Sequence, residues 1–193
     1  MFLIGSATAQ SGSPMGRSGH LPDPRFRRPI GLNEIQNIVN MIVAKNDLRV
    51  PFTVVTDETA LVPIARYSGS PAGHLVTINP RAARDFPPNT WAFILGHEVA
   101  HAVDDRARHG HGKTFKQVEW MADEVGASYA IRAGFHLDAH LGWVFSRPNA
   151  GNENYGSEYE RAQNLFHLFR PDRGLIQNFQ NRYRMPLAVV AVR

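Results

Sequence analysis

One stretch constrains this chain more than any other. Residues 96–105 read G-H-E-V-A-H-A-V-D-D, with His97 and His101 four positions apart. On a helix, positions i and i+4 share a face one turn apart, so both imidazoles can close on a single ion. Zn²⁺ is the usual ion for nitrogen ligands with an open position. Glu98 follows the first histidine, where a carboxylate can take a proton from a water held at the ion. From composition alone the H-E-x-x-H pattern arises by chance in about two chains per hundred, so context has to decide. The preceding Trp91, Ala92, Phe93, Ile94 and Leu95 are apolar, and Ala100, Ala102 and Val103 continue the helix. Asn89 or Thr90 is expected to cap it behind Pro87 and Pro88. Two histidines and a glutamate on such a helix are costly to bury without a partner, and a metal supplies one.

A second i,i+4 pair lies downstream. Thr114-x-x-Gln117 forms a capping box that opens a helix expected to run to about Ala133 and stop at Gly134. On it stand Glu119 and Asp123, beside the small residues Ala122, Gly126, Ala127 and Ala130. Small residues permit close approach to another helix. An acidic pair on such a face makes sense if it presses on the His97 helix. Glu119 then becomes the third ligand, and Asp123 an acceptor for a ligand imidazole N–H.

The rest of the chain supplies the frame. Its 193 residues are expected to form a flexible N-terminal arm over 1–30 and a single domain over 31–193. The arm is rich in Ser, Gly, Pro and Arg. A core helix follows, with Asn33-x-x-Gln36 as its capping box and Ile35, Ile38, Val39, Ile42 and Val43 as its apolar stripe. Strands are expected over 50–56, 64–67 and 74–79. His74 begins the third strand, where it is either solvated or in contact with substrate. His109 and His111 lie on a polar, Gly-containing loop, as surface residues or as extra ligands. Residues 149–156 read as a loop near the cleft. A helix starts at Ser157-x-x-Glu160 and runs through Phe169 to Pro171, and residues 187–192 read as a late strand or tail.

Composition narrows the classes. With no cysteine, disulfides and thiolate zinc sites are excluded, leaving histidine and carboxylate as ligands. The formal charge is +4, but the basic residues are scattered among acids and no nucleic-acid motif is present. No run of 18 or more apolar residues marks a transmembrane helix. Ala7-Thr8-Ala9 before Gln10 resembles a signal-peptidase site, so the expected location is periplasmic or secreted, with a start upstream of Met1; the alternative is cytoplasmic.

H97-E-V-A-H101 followed by E119-W-M-A-D123 resembles the M48 peptidases, zinc metallopeptidases of the gluzincin group. The resemblance spans roughly residues 50–170. It implies a zincin-like α+β fold, mainly helical, with a small sheet whose edge strand flanks the cleft, here the strand ending at Pro80. It implies one Zn²⁺ per chain on His97, His101 and Glu119, with Glu98 as general base and Asp123 orienting a ligand histidine. The substrate would be a peptide or protein, paired as an added strand. Many members carry H-P-x4-R. Here Arg161 matches, whereas Tyr155 and Gly156 replace the His-Pro pair. Tyr155 is therefore expected to be the oxyanion donor, with Arg161 as its support, either pointing into the cleft or pairing with Asp123. The metzincin pattern fails, because the position six residues after His101 is Ala107. The rival readings are a non-catalytic zinc protein that uses the cleft as a binding or chaperone surface, and a latent enzyme covered by its own arm or an inhibitory partner.

Overall fold

Helix α1 (Leu32–Lys45) buries Ile35, Ile38, Val39 and Ile42, as its apolar periodicity requires. Its expected capping box does not form. Gly31 takes the N-cap position without a side-chain bond. Gln36 instead reaches the first strand, β1 (Phe52–Thr56), where its Nε2 donates to the Phe52 carbonyl and its Oε1 accepts from the Val54 N–H. That pair of bonds satisfies backbone groups on an outer edge, which outweighs a local cap. The computed structural model describes residues 30–59, 64–70, 73–81, 86–108, 112–147, 151–152 and 156–184. The arm up to residue 29, His109, His111, Tyr155 and residues 185–193 lie outside these.

Among the described residues the chain is mixed α+β and mainly helical, with six α-helices and a three-stranded sheet in the order β1-β3-β2. Strand β2 (Ala65–Ser70) runs antiparallel to β3 (Gly73–Ile78), and β1 runs parallel to β3. The third strand was expected at the cleft edge; it is the centre of the sheet. Leu75, Val76 and Ile78 make β3 more apolar than β2, so pairing on both sides suits it. Strand β2, with Arg66, Ser68 and Gly69, tolerates an open edge. It is β2 that packs beside the histidine helix.

That helix, α2 (Pro88–Val103), is buried over most of its length, with Trp91, Leu95 and Val99 in the core. It starts one or two residues before the expected cap. Pro87 holds the N-cap position and Pro88 the first turn, where a fixed φ and a missing N–H are favourable. Thr90 is fully buried and does not cap. A short 3₁₀ turn (Asp105–Ala107) follows. Helix α3 (Phe115–Arg132) has the expected Thr114/Gln117 capping box, and Gly134 beyond it sits at φ +91°. Helix α5 (Glu158–Phe169) is capped by Ser157, also as expected.

Two helices were not foreseen. Helix α4 (Asp138–Ser146) and α6 (Arg173–Arg184) pack along each other. Gly142 permits this contact, since a Cβ there would lie 2.5 Å from the Phe179 Cβ. Helix α4 also packs on α2 and α5, which brings His140 and Trp143 to the wall of the central cavity. No described helix is long and apolar enough to cross a membrane.

Candidate metal centre

Helices α2 and α3 touch at two glycines. A Cβ on Gly126 would stand 2.4 Å from the His97 backbone nitrogen, and one on Gly96 would stand 2.5 Å from the Gly126 carbonyl oxygen. Backbone therefore meets backbone. This proximity lets the short carboxylate of Glu119 reach the two imidazoles across the helix pair.

The three expected ligands converge. His97 Nε2 lies 3.0 Å from His101 Nε2, and Glu119 oxygens lie 3.4 Å from His97 Nε2 and 3.6 Å from His101 Nε2. Four ligands set tetrahedrally at ~2.0–2.1 Å from one ion are about 3.3 Å from each other. The observed spacings bracket that value, so the donor set fits one small ion in size and in chemistry. These residues form the one cluster among the described residues with metal-ligand spacing.

The imidazoles are held from behind. His97 Nδ1 lies 2.9 Å from Asp123 Oδ1, and His101 Nδ1 lies 2.7 Å from the Ala107 carbonyl oxygen. Each Nδ1–H thus donates outward, which turns both Nε2 atoms toward the shared point. Asp123 holds the place expected of it. The Ala107 carbonyl could not have been read from a side-chain pattern, because the 3₁₀ turn that aims it is a backbone feature.

Arg161 comes from α5 and lies across both acids. Its Nε and Nη2 donate to Asp123 at 2.5 and 2.7 Å, and its Nη1 lies 3.4 Å from Glu119. Of the two roles foreseen for it, the guanidinium takes the pairing one. Burial opposes the Asp123 charge, but the Arg161 guanidinium and His97 outweigh it and hold the carboxyl well below the ordinary range. Burial likewise works against the Glu119 charge, and His97, Arg161 and His101 together lower its pKa. Burial depresses His97 too, yet Asp123 and Glu119 push it up to about 10. Asp123, Glu119, His97 and Arg161, four groups that would each be costly alone, form one neutralised network.

Glu98 lies beside the three ligands and lines the same hollows as they do. It is 9% exposed, and its Oε2 accepts a 2.7 Å hydrogen bond from the Tyr67 N–H. Burial raises its pKa, which makes it a stronger base than a solvated carboxylate. The bond also fixes the orientation of β2. Asn79 N–H donates to Ile64 O, so residues 64 and 79 are a hydrogen-bonded pair. Alternation along an antiparallel ladder then turns the backbone groups of Ala65, Tyr67 and Gly69 toward the open edge. His74, beneath that edge, lies 2.8 Å through Nδ1 from the Tyr67 hydroxyl and stacks on its ring.

Two hollows meet at this site. One, of about 240 Å³, is lined by His97, Glu98 and Glu119 together with Phe93, His140 and Trp143. The other, of about 680 Å³, lies along β2 and is lined by Arg66, Tyr67, His74 and Arg108. His140 is 7% exposed and stacks on Phe93, with ring centroids 3.8 Å apart. Burial drives its pKa down to about 3, so the ring is neutral. No sequence pattern singled it out strongly, because the helix that carries it had not been foreseen.

Comparison with family models, with curated proteins and with solved structures found no match to this chain.

Proposed function

We propose that this protein is a zinc-dependent endopeptidase of the gluzincin type, similar to the M48 peptidases, with a zincin-like fold. The observation that carries the reading is Glu98. A structural metal site needs no further carboxylate. Here one is buried against the ligand histidines, has its pKa raised, and is oriented by the N–H of an open strand edge.

His97, His101 and Glu119 would hold the ion, and their nitrogen and carboxylate donors suit Zn²⁺. When bound, zinc acts as a Lewis acid that acidifies water and polarises a carbonyl. The outward-facing backbone groups of Ala65 and the carbonyl of Tyr67, a residue whose own N–H is held by Glu98, offer hydrogen bonds to an extended peptide, which sets its scissile bond across Glu98. Glu98 accepts the proton of the attacking water as the new C–O bond forms and the carbonyl π pair moves to oxygen. It then gives that proton to the amide nitrogen as the C–N bond breaks, and the remaining hydroxyl proton of the acid passes to the freed amine, so that an ammonium and a carboxylate leave. Asp123 and the Ala107 carbonyl keep the two imidazoles in the ligand tautomer throughout. Arg161 keeps Asp123 ionised.

Glu98→Gln tests this reading. The variant should fold and hold zinc as the wild type does, while cleavage of a peptide library falls by orders of magnitude. Near-wild-type turnover would remove Glu98 from the mechanism. Stoichiometric zinc with no cleavage by the wild-type protein would favour a non-catalytic zinc protein.

A further inference from the structure

Peptide hydrolysis creates negative charge on the former carbonyl oxygen, and a site that accelerates it supplies a donor for that oxygen. In the hollow lined by Phe93, Glu98 and Glu119, the guanidinium of Arg161 is committed elsewhere. All three guanidinium nitrogens of Arg161 face Asp123 or Glu119. Tyr159 is 40% exposed and lies edge-on to Phe145, where it lines a separate groove with Gln163, Gln177 and Arg173. His140 is different. It lines the same hollow as His97, Glu98 and Glu119, and no residue partners its Nδ1, which is fully buried.

That orphaned atom assigns the tautomer. A buried N–H without an acceptor costs more than a buried lone pair without a donor, because the lone pair is the weaker demand. The single proton of the neutral ring therefore belongs on Nε2. The stack on Phe93 fixes the ring plane. Phe93 stands one helical turn before His97 on the same face of α2, so the stack places His140 beside the ligand pair.

We propose that His140, through its Nε2–H, is the hydrogen-bond donor to the oxyanion of the tetrahedral adduct in this cleft. The assignment rests on the hydrolytic reading above. It makes α4 a functional element, and it gives the donor a fixed mount on a helix.

Two substitutions separate this role from packing, because the two roles rank them oppositely. His140→Phe keeps the stack and the volume but loses the N–H. His140→Gln loses the stack but places an amide N–H at a similar reach. The probe is a phosphinate pseudodipeptide, a tetrahedral anion, titrated calorimetrically into the zinc-loaded full-length protein. Affinity should fall about 10²–10³-fold in His140→Phe and be largely restored in His140→Gln, with zinc affinity unchanged in both. Wild-type affinity in His140→Phe overturns the proposal, as does failure of the wild type to bind the phosphinate. A ranking with Gln below Phe assigns His140 to packing and also overturns it. Histidine ¹⁵N NMR of the wild-type protein reads the tautomer independently: a proton on Nδ1 refutes the argument whether or not the variants fold. Cleavage plays no part in these readouts. A His140-dependent phosphinate site in a protein that cuts no peptide would refute the hydrolytic reading alone. Peptide cleavage with phosphinate binding indifferent to His140 would refute the donor alone.

Discussion

Glu119 and Asp123 are chemically near-equal acids one turn apart, yet their surroundings give them different tasks. Glu119 meets the Nε2 sides of both histidines, whereas Asp123 meets only the back of His97. Glu119→Ala should therefore abolish tight zinc binding. Asp123→Asn should weaken it by about 10–100-fold, the usual cost of losing a partner behind a ligand. Isothermal titration with zinc distinguishes them, and equal losses would mean that Asp123 is itself a ligand. Arg161 has a different kind of value. Its removal strands the Asp123 carboxylate, whose side chain is 4% exposed, without its main counter-charge. Arg161→Ala should cost about 3–5 kcal/mol in chemical denaturation, the range for breaking a buried pair from one side. Adding Asp123→Asn should recover part of that loss, because the stranded charge goes with it. A double variant less stable than Arg161→Ala would show that the Asp123 bond to His97 matters more than the ion pair.

At the scale of elements, the site is as good as the approach of α2 to α3. Gly126→Ala puts a carbon 2.4–2.6 Å from backbone atoms of Gly96 and His97, and backbone cannot swing aside as a side chain can. The helices must separate, which moves Glu119 away from both imidazoles. The variant should lose more than the ~1–3 kcal/mol of ordinary overpacking and should lose zinc affinity as well. A folded Gly126→Ala with native zinc affinity would show that the contact is not what sets the ligand spacing. This contact was legible in the sequence, because the small residues sat beside an acidic pair and asked for a close neighbour. The capping box of α3 and the Ser157 cap of α5 were legible for a similar reason: each is a local bond between named side chain and backbone. What could not be read depended on partners remote in sequence. Gln36 left its local cap for the Phe52 and Val54 backbone 16 and 18 residues away. The order of the sheet placed β3 inside and β2 at the cleft, although alternation marks strands and not their neighbours. Helix α4 passed unseen because it is buried nearly all round, so its histidine stood out from no polar face.

The pH response belongs to the whole molecule, because two buried histidines pull it in opposite directions. His140 titrates at about 3 when folded and at its ordinary 6.5 when unfolded. Between those values the unfolded chain binds a proton that the folded chain refuses, so stability is lost as pH falls from about 6.5 toward 3. His97 is the reverse. Its folded value of about 10 lies above 6.5, so its contribution is present below 6.5 and is lost as pH rises toward 10. Each effect is on the order of a few kcal/mol at ~1.4 kcal/mol per unit. Asp123, held low, adds its own loss only below its ordinary 3.8, at the acid end of the His140 range. Protein stripped of metal by chelation should therefore melt highest near pH 6–7 and less well on both sides. His140→Phe should flatten the acid side between pH 6.5 and 4 and leave the alkaline side alone. Zinc should flatten the alkaline side, since a metal ion on His97 Nε2 displaces the proton whose loss causes the decline. Melting curves from pH 4 to 9.5, with chelator and with saturating zinc, test both halves. An alkaline decline identical in the two conditions would mean that zinc does not bind through His97, and the metal centre would have to be reassigned.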